Sequence, residues 1–151
     1  MKSQRAGATP TAPWPEGPAR IHDREENSQH FRVLAVRGAT TIDQDEADEV
    51  RSATAELLVE MGEKNSFDPS QIVSAIFTVT HDIRSEFPAR ATRDLNWNDI
   101  PCLCATEIPV PHAPPLCIRV LLHVETTLPL NGVKHVYLRK ARSLRPDRCY
   151  D

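Results

Sequence analysis

Aromatic residues make up 5% of this 151-residue chain, and its formal net charge is -3. Both shortages argue against a polyanionic partner. A nucleic-acid binder carries surplus positive charge and aromatic faces on which bases stack, so no nucleic-acid partner is expected. No apolar run is long enough to cross a bilayer, and no signal-peptide pattern opens the chain. The expectation is a cytoplasmic protein without membrane contact. Cysteine is scarce as well. Cys102, Cys104, Cys117 and Cys149 read as reduced thiols, because cysteines two residues apart on one strand have poor geometry for a bridge. A zinc reading of Cys102-x-Cys104 with Cys117 and His123 is disfavoured. It lacks the usual Cys-x-x-Cys hairpin, and strand alternation does not assemble four ligands. No Ser or Cys sits in a nucleophile motif, and no histidine has a triad companion.

Arginine, by contrast, occurs where a soluble chain has little structural use for it. Arg37 closes the apolar run Val33-Leu34-Ala35-Val36, and Arg119 lies inside Cys117-Ile118-Arg119-Val120-Leu121-Leu122. A guanidinium cannot shed its charge when buried, so it needs a carboxylate, a phosphate or a bound anion beside it. With Arg90, Arg93 and Arg145, these side chains read as a set gathered around an anionic small molecule. The plainer alternative pairs Arg37 and Arg119 structurally with Glu107 or Glu125, and residue pattern alone leaves both open.

The chain divides unevenly. Residues 1–30 are rich in Pro, Ala, Gly and charge without periodicity, so a disordered extension is expected. Residues 31–147 have globular composition and form one domain, followed by a tail at 148–151. Phe31 to Arg37 reads as a strand ended by Gly38-Ala39, with N-cap candidates for a helix at Thr40 to Asp43. That amphipathic helix carries Ala47, Val50, Thr54, Leu57, Leu58 and Met61 to about Gly62. A turn at Asp68-Pro69-Ser70, a strand at Ile72 to Thr80 and a helix at Ser85 to Leu95 follow, with Pro88 in the helix's first turn. Pro101 to Ile108 is a third strand, 109–115 a proline-rich loop, and 117–126 and 134–144 the last two strands. The expected class is α+β: a mixed sheet with two main helices on one face. The other face needs cover, which predicts an oligomer.

Strand phase sorts these positions. Ile118, Val120, Leu122 and Val124 share a core face, against Cys117, Arg119, Leu121 and His123. In 134–145, His135, Tyr137, Arg139 and Arg145 fall on one side. Phe87, Arg90 and Arg93 recur every three residues on the second helix. Cys104 and Glu107, three apart, point to opposite faces, so both touch one ligand only if sites lie between subunits.

Five segments carry a family resemblance: Val36-Arg37-Gly38-Ala39-Thr40-Thr41, Phe87-Pro88-Ala89-Arg90-Ala91-Thr92-Arg93, Cys117-Ile118-Arg119-Val120, His135-Val136-Tyr137-Leu138 and Leu144-Arg145-Pro146-Asp147. In order and spacing the chain resembles the monofunctional chorismate mutases of the AroH class. The resemblance implies a pseudo-barrel homotrimer with sites at subunit interfaces, no metal and no cofactor, that converts chorismate to prephenate. It implies Arg119 at the breaking ether oxygen, and Arg37 and Tyr137 on the enolpyruvyl carboxylate. Glu107 would accept from the ring hydroxyl with Cys104 nearby, Phe87 would pack on substrate, and Arg93 and Arg145 would sit at the mouth. Arg90 stands where relatives carry lysine, keeping the charge for the ring carboxylate. A non-catalytic anion-binding trimer on the same scaffold would dispense with Arg119 and Glu107. Both are present.

Overall fold

The computed structural model describes residues 30–148. The expected disorder of residues 1–29 and the tail from 149 lie outside the described residues. Strand β1 (Arg32–Thr41) buries Leu34, Val36, Gly38 and Thr40 on one side. It therefore runs four residues past Arg37, and Gly38 is not the stop the sequence suggested. A Cβ on Gly38 would lie 2.4 Å from Met61 Sδ, 3.1 Å from Leu57 Cδ1 and 3.2 Å from Val120 Cγ1. The residue is small because a helix crosses directly over it. Gly38→Ala is expected to destabilise the fold by about 1–3 kcal/mol through overpacking. Urea unfolding with an unchanged m-value checks this.

That helix, α1 (Ala47–Asn65), begins after N-cap Glu46 rather than at residues 40–43, because the strand has already used Thr40 and Thr41. The linker N–H groups of Asp43 and Gln44 instead donate to the Glu49 carboxylate at 2.7 and 3.1 Å. Val50, Ala53, Thr54, Leu57, Leu58 and Met61 form its buried face. A capping box on Asp68 then starts the short 3-10 turn Pro69–Gln71, as the sequence suggested.

Strand β2 (Ile72–Val79), helix α2 (Arg90–Asp94), strands β3 (Cys102–Thr106) and β4 (Cys117–Thr126), and strand β5 (Val136–Tyr137) complete the domain. The sheet order is β3-β2-β4-β1-β5. It is mixed: β4 pairs antiparallel with β1 and β2, while the edge strands β3 and β5 pair parallel. Both helices cover one face. Leu57, Leu58 and Met61 of α1 and Ala91 of α2 join Val36, Phe77, Val120, Leu122 and Val124 in the main core.

Two elements are shorter than their sequences suggested. Only 90–94 is α-helical within the expected 85–95, so Pro88 precedes the helix. Upstream, the N–H groups of Arg84 and Ser85 donate to the Asp45 carboxylate at 3.0 and 3.1 Å, which ties that stretch to the loop before α1. The expected last strand ends at Tyr137, because Arg139 adopts a left-handed φ of 50° and Arg139–Leu144 winds into a 3-10 helix. The alternation assumed for 134–145 thus fails beyond Tyr137. Arg139 anchors the corner by donating to Thr41 O at 3.2 Å and to Glu56 at 2.8 Å.

On the opposite sheet face the 3-10 helix Arg139–Leu144 packs Ala141 and Leu144 over Ala39, Cys117 and Tyr137, and among the described residues the rest of that face is only partly covered. Val33 and Leu103 are 54% and 62% exposed, and Ile76 and Leu121 are partly exposed.

Candidate active site

Pairing register places the arginines. Ala39 pairs with Arg119 on one side and Tyr137 on the other, and Arg119 pairs with Thr78. Residues opposite one another in a ladder share a face, so Arg119, Tyr137, Thr78 and, two residues before Ala39, Arg37 all project from the side opposite the two helices. Glu107, just past β3, joins them. Its Oε2 accepts from Arg119 Nη1 at 2.7 Å, and its Oε1 accepts from the Thr78 hydroxyl. The Arg37 guanidinium lies 5.9 Å from the centroid of the Tyr137 ring, within cation–π range.

The structural alternative for Arg119 is therefore half realised: it pairs with Glu107, not Glu125. The pair is 22% and 19% exposed, so desolvation makes its charge strong. Yet the pair leaves polar atoms over. Arg119 Nε and Tyr137 Oη are buried without a hydrogen-bond partner among the described residues. A buried unpaired donor costs about 1–3 kcal/mol. Cys117, two residues upstream on the same face, adds no anion. Burial pushes its thiol up, against the pull of Arg119 beside it.

The start of β4 is pinned from β2. The Cys117 N–H donates to Thr80 Oγ1 at 2.9 Å, and the Leu116 N–H donates to Asp82 Oδ2 at 2.9 Å. Burial raises the Asp82 carboxyl, but the Thr80 hydroxyl and the Leu116 N–H outweigh it and hold it below the usual carboxylate range. Arg119 thus projects from a strand fixed two residues earlier.

The remaining predicted residues lie elsewhere. Phe87, Arg90, Arg93 and Cys104, with Thr92, Asn98 and Cys102, line a concavity of about 570 Å³. The three-residue spacing of Phe87, Arg90 and Arg93 does bring them together, although the α-helix covers only the last two. Cys104 pairs with the core residue Phe77 and so faces the helix side, opposite Glu107, as alternation predicted. Burial pushes the neighbouring Cys102 thiol up, so no thiolate competes for the arginines. Phe87 is 68% exposed, a large ring left uncovered. Arg145 is not on a strand but ends the 3-10 helix that packs beside Tyr137; its Nε and Nη2 donate to Asp147 at 3.0 and 2.9 Å. Asp147 also holds the Arg145 guanidinium above its ordinary value.

The sequence-predicted residues thus gather in two clusters on opposite faces of the sheet. Arg37, Glu107, Arg119 and Tyr137 form one; Phe87, Arg90, Arg93 and Cys104 form the other. Sequence reasoning missed Thr78 and Thr80, whose roles depend on which strand lies beside which. No local signal marks either. Among the described residues, no three His, Cys, Asp or Glu side chains are grouped to hold a metal, and no helix is long and apolar enough to cross a membrane.

Comparison with known proteins shows which family the chain belongs to. The family model for chorismate mutase type I matches residues 33–148. Chorismate mutase AroH of Thermus thermophilus is 44% identical over 116 residues, spanning 76% of this chain and 95% of the relative. Chorismate mutase AroH of Bacillus subtilis (strain 168) is 37% identical over 116 residues, spanning 76% and 91%. A solved chorismate mutase from Clostridium thermocellum superposes with a TM-score of 0.72 at 44% identity, covering 73% of this chain and 98% of its own. On these matches the chain belongs to the chorismate mutase type I family.

Proposed function

We propose that this protein converts chorismate to prephenate in a site completed by two neighbouring copies of the chain. Family membership carries the activity, and the sheet face opposite the helices, where Arg119 Nε and Tyr137 Oη have no partner among the described residues, supports the location. The reaction is a unimolecular [3,3] rearrangement in which one C–O ether bond breaks as one C–C bond forms. No proton moves and no covalent intermediate is needed. The protein contributes by holding the flexible enolpyruvyl ether over the ring, and by setting fixed positive charge where negative charge grows.

In this reading Arg119 donates to the ether oxygen, and its pairing with Glu107 keeps the guanidinium in one orientation. Arg37 and the Tyr137 hydroxyl hold the enolpyruvyl carboxylate. Glu107, already accepting from Thr78 and Arg119, also accepts from the ring hydroxyl. The next copy supplies its concave face: Arg90 for the ring carboxylate, Phe87 against the substrate, Cys104 near the hydroxyl and Arg93 at the mouth, where Arg145 from the Tyr137 side also sits. A cyclic homotrimer, in which each chain lends a different face to each of two sites, satisfies this with a single repeated contact. A cytoplasmic setting fits the free thiols of Cys102, Cys104 and Cys117.

The test is loss of chorismate at its ultraviolet band with purified protein. Prephenate formation at a rate unchanged by excess chelator is the expected outcome. A protein that binds chorismate without consuming it would be a non-catalytic anion binder, and the proposal would be wrong.

A further inference from the structure

We infer that His135 is a positioning residue for the grip of Arg37 and Tyr137 on the substrate carboxylate, an inference that rests on the site reading above. Strand β5 contributes only two rungs, Gly38 with Val136 and Ala39 with Tyr137. Arg37 lies one residue ahead of that ladder, so its N–H is given no main-chain acceptor by β5. His135 Nδ1 supplies one at 3.1 Å, through a part-buried contact. This requires the lone pair on Nδ1 and the ring proton on Nε2. The contact joins the backbone of one carboxylate ligand to a residue two positions before the other. It therefore sets the separation between guanidinium and phenol.

The segment has other supports, which distinguish positioning from mere folding. Asn65, 4% exposed at the end of α1, accepts from Lys134 N–H at 2.7 Å and donates to Lys134 O at 2.8 Å. Its Nδ2 also donates to Met61 O at 2.9 Å. On the far side, Leu138 N–H donates to Ala39 O at 2.9 Å. Residues 134 and 138 are thus anchored independently. Loss of the imidazole acceptor leaves the fold standing while Arg37 and Tyr137 lose their fixed spacing.

Because the carboxylate is held in ground state and transition state alike, the effect belongs in KM rather than kcat. His135→Leu is expected to raise KM about tenfold with kcat changed less than about threefold. His135→Asn, whose Oδ1 can take the place of Nδ1, should keep KM within about threefold of the parent. In an Arg37→Ala background, His135→Leu should add little to KM, since interacting positions are non-additive. Equal impairment by Leu and Asn, or a lower melting temperature with KM unmoved, overturns the inference. If Arg37→Ala alone leaves KM unmoved, the carboxylate grip itself is absent and the site reading falls with it.

Discussion

Arg119→Ala is expected to lower kcat by about a thousandfold or more, with a far smaller change in KM. One preorganised donor aimed at developing negative charge typically contributes roughly 3–4 kcal/mol, and here the donor carries a full charge in a largely desolvated pair. Each 1.36 kcal/mol is about tenfold in rate. The asymmetry between kcat and KM follows because the ether oxygen is nearly neutral in the substrate and anionic only as the bond breaks. Arg119→Lys should recover little. An ammonium lacks the fork that reaches Glu107 through Nη1 while leaving Nε for a second acceptor. The measurement is steady-state turnover with a circular dichroism control, since removing the guanidinium leaves Glu107 with Thr78 as its side-chain partner among the described residues. A loss confined to KM would make Arg119 a binding residue.

Mixing two inactive proteins should restore activity. An Arg119→Ala chain retains a working concavity, and an Arg90→Ala/Arg93→Ala chain retains a working sheet face. If each site joins the sheet face of one copy to the concavity of the next around a closed ring, random 1:1 co-assembly gives about one quarter of the parental sites intact. The experiment refolds the variants together and compares turnover with each refolded alone. Sites confined to single chains would show no recovery, and a stable monomer with full turnover would dispose of the shared site altogether. The effect is large because it starts from almost nothing.

Much of this was legible beforehand, for reasons that differ by element. β4 was read with its boundaries and both faces, because period-2 alternation over ten residues leaves few other solutions. The last strand was misread because Lys134 to Leu144 is compatible with extension locally. It is turned by a left-handed Arg139 whose side chain answers to Thr41 and Glu56, far away in sequence. The second helix was overextended for a similar reason, its first half being held by Asp45. Gly38 was taken for a stop when its function is to admit Met61 and Leu57, a demand that only the packed helix makes.

By itself, the order of residues determined the family, the α+β class, the core of the central strand and the set of arginines. All of these depend on residue type and near-neighbour spacing, which a linear chain displays. Tertiary structure alone decided that Glu107 is the partner of Arg119, that Thr78 also donates to Glu107, and that His135 accepts from the Arg37 N–H. Those facts depend on which strands lie side by side and in what register. Register is settled by burial of the whole sheet face under two helices, a global balance that no short segment records.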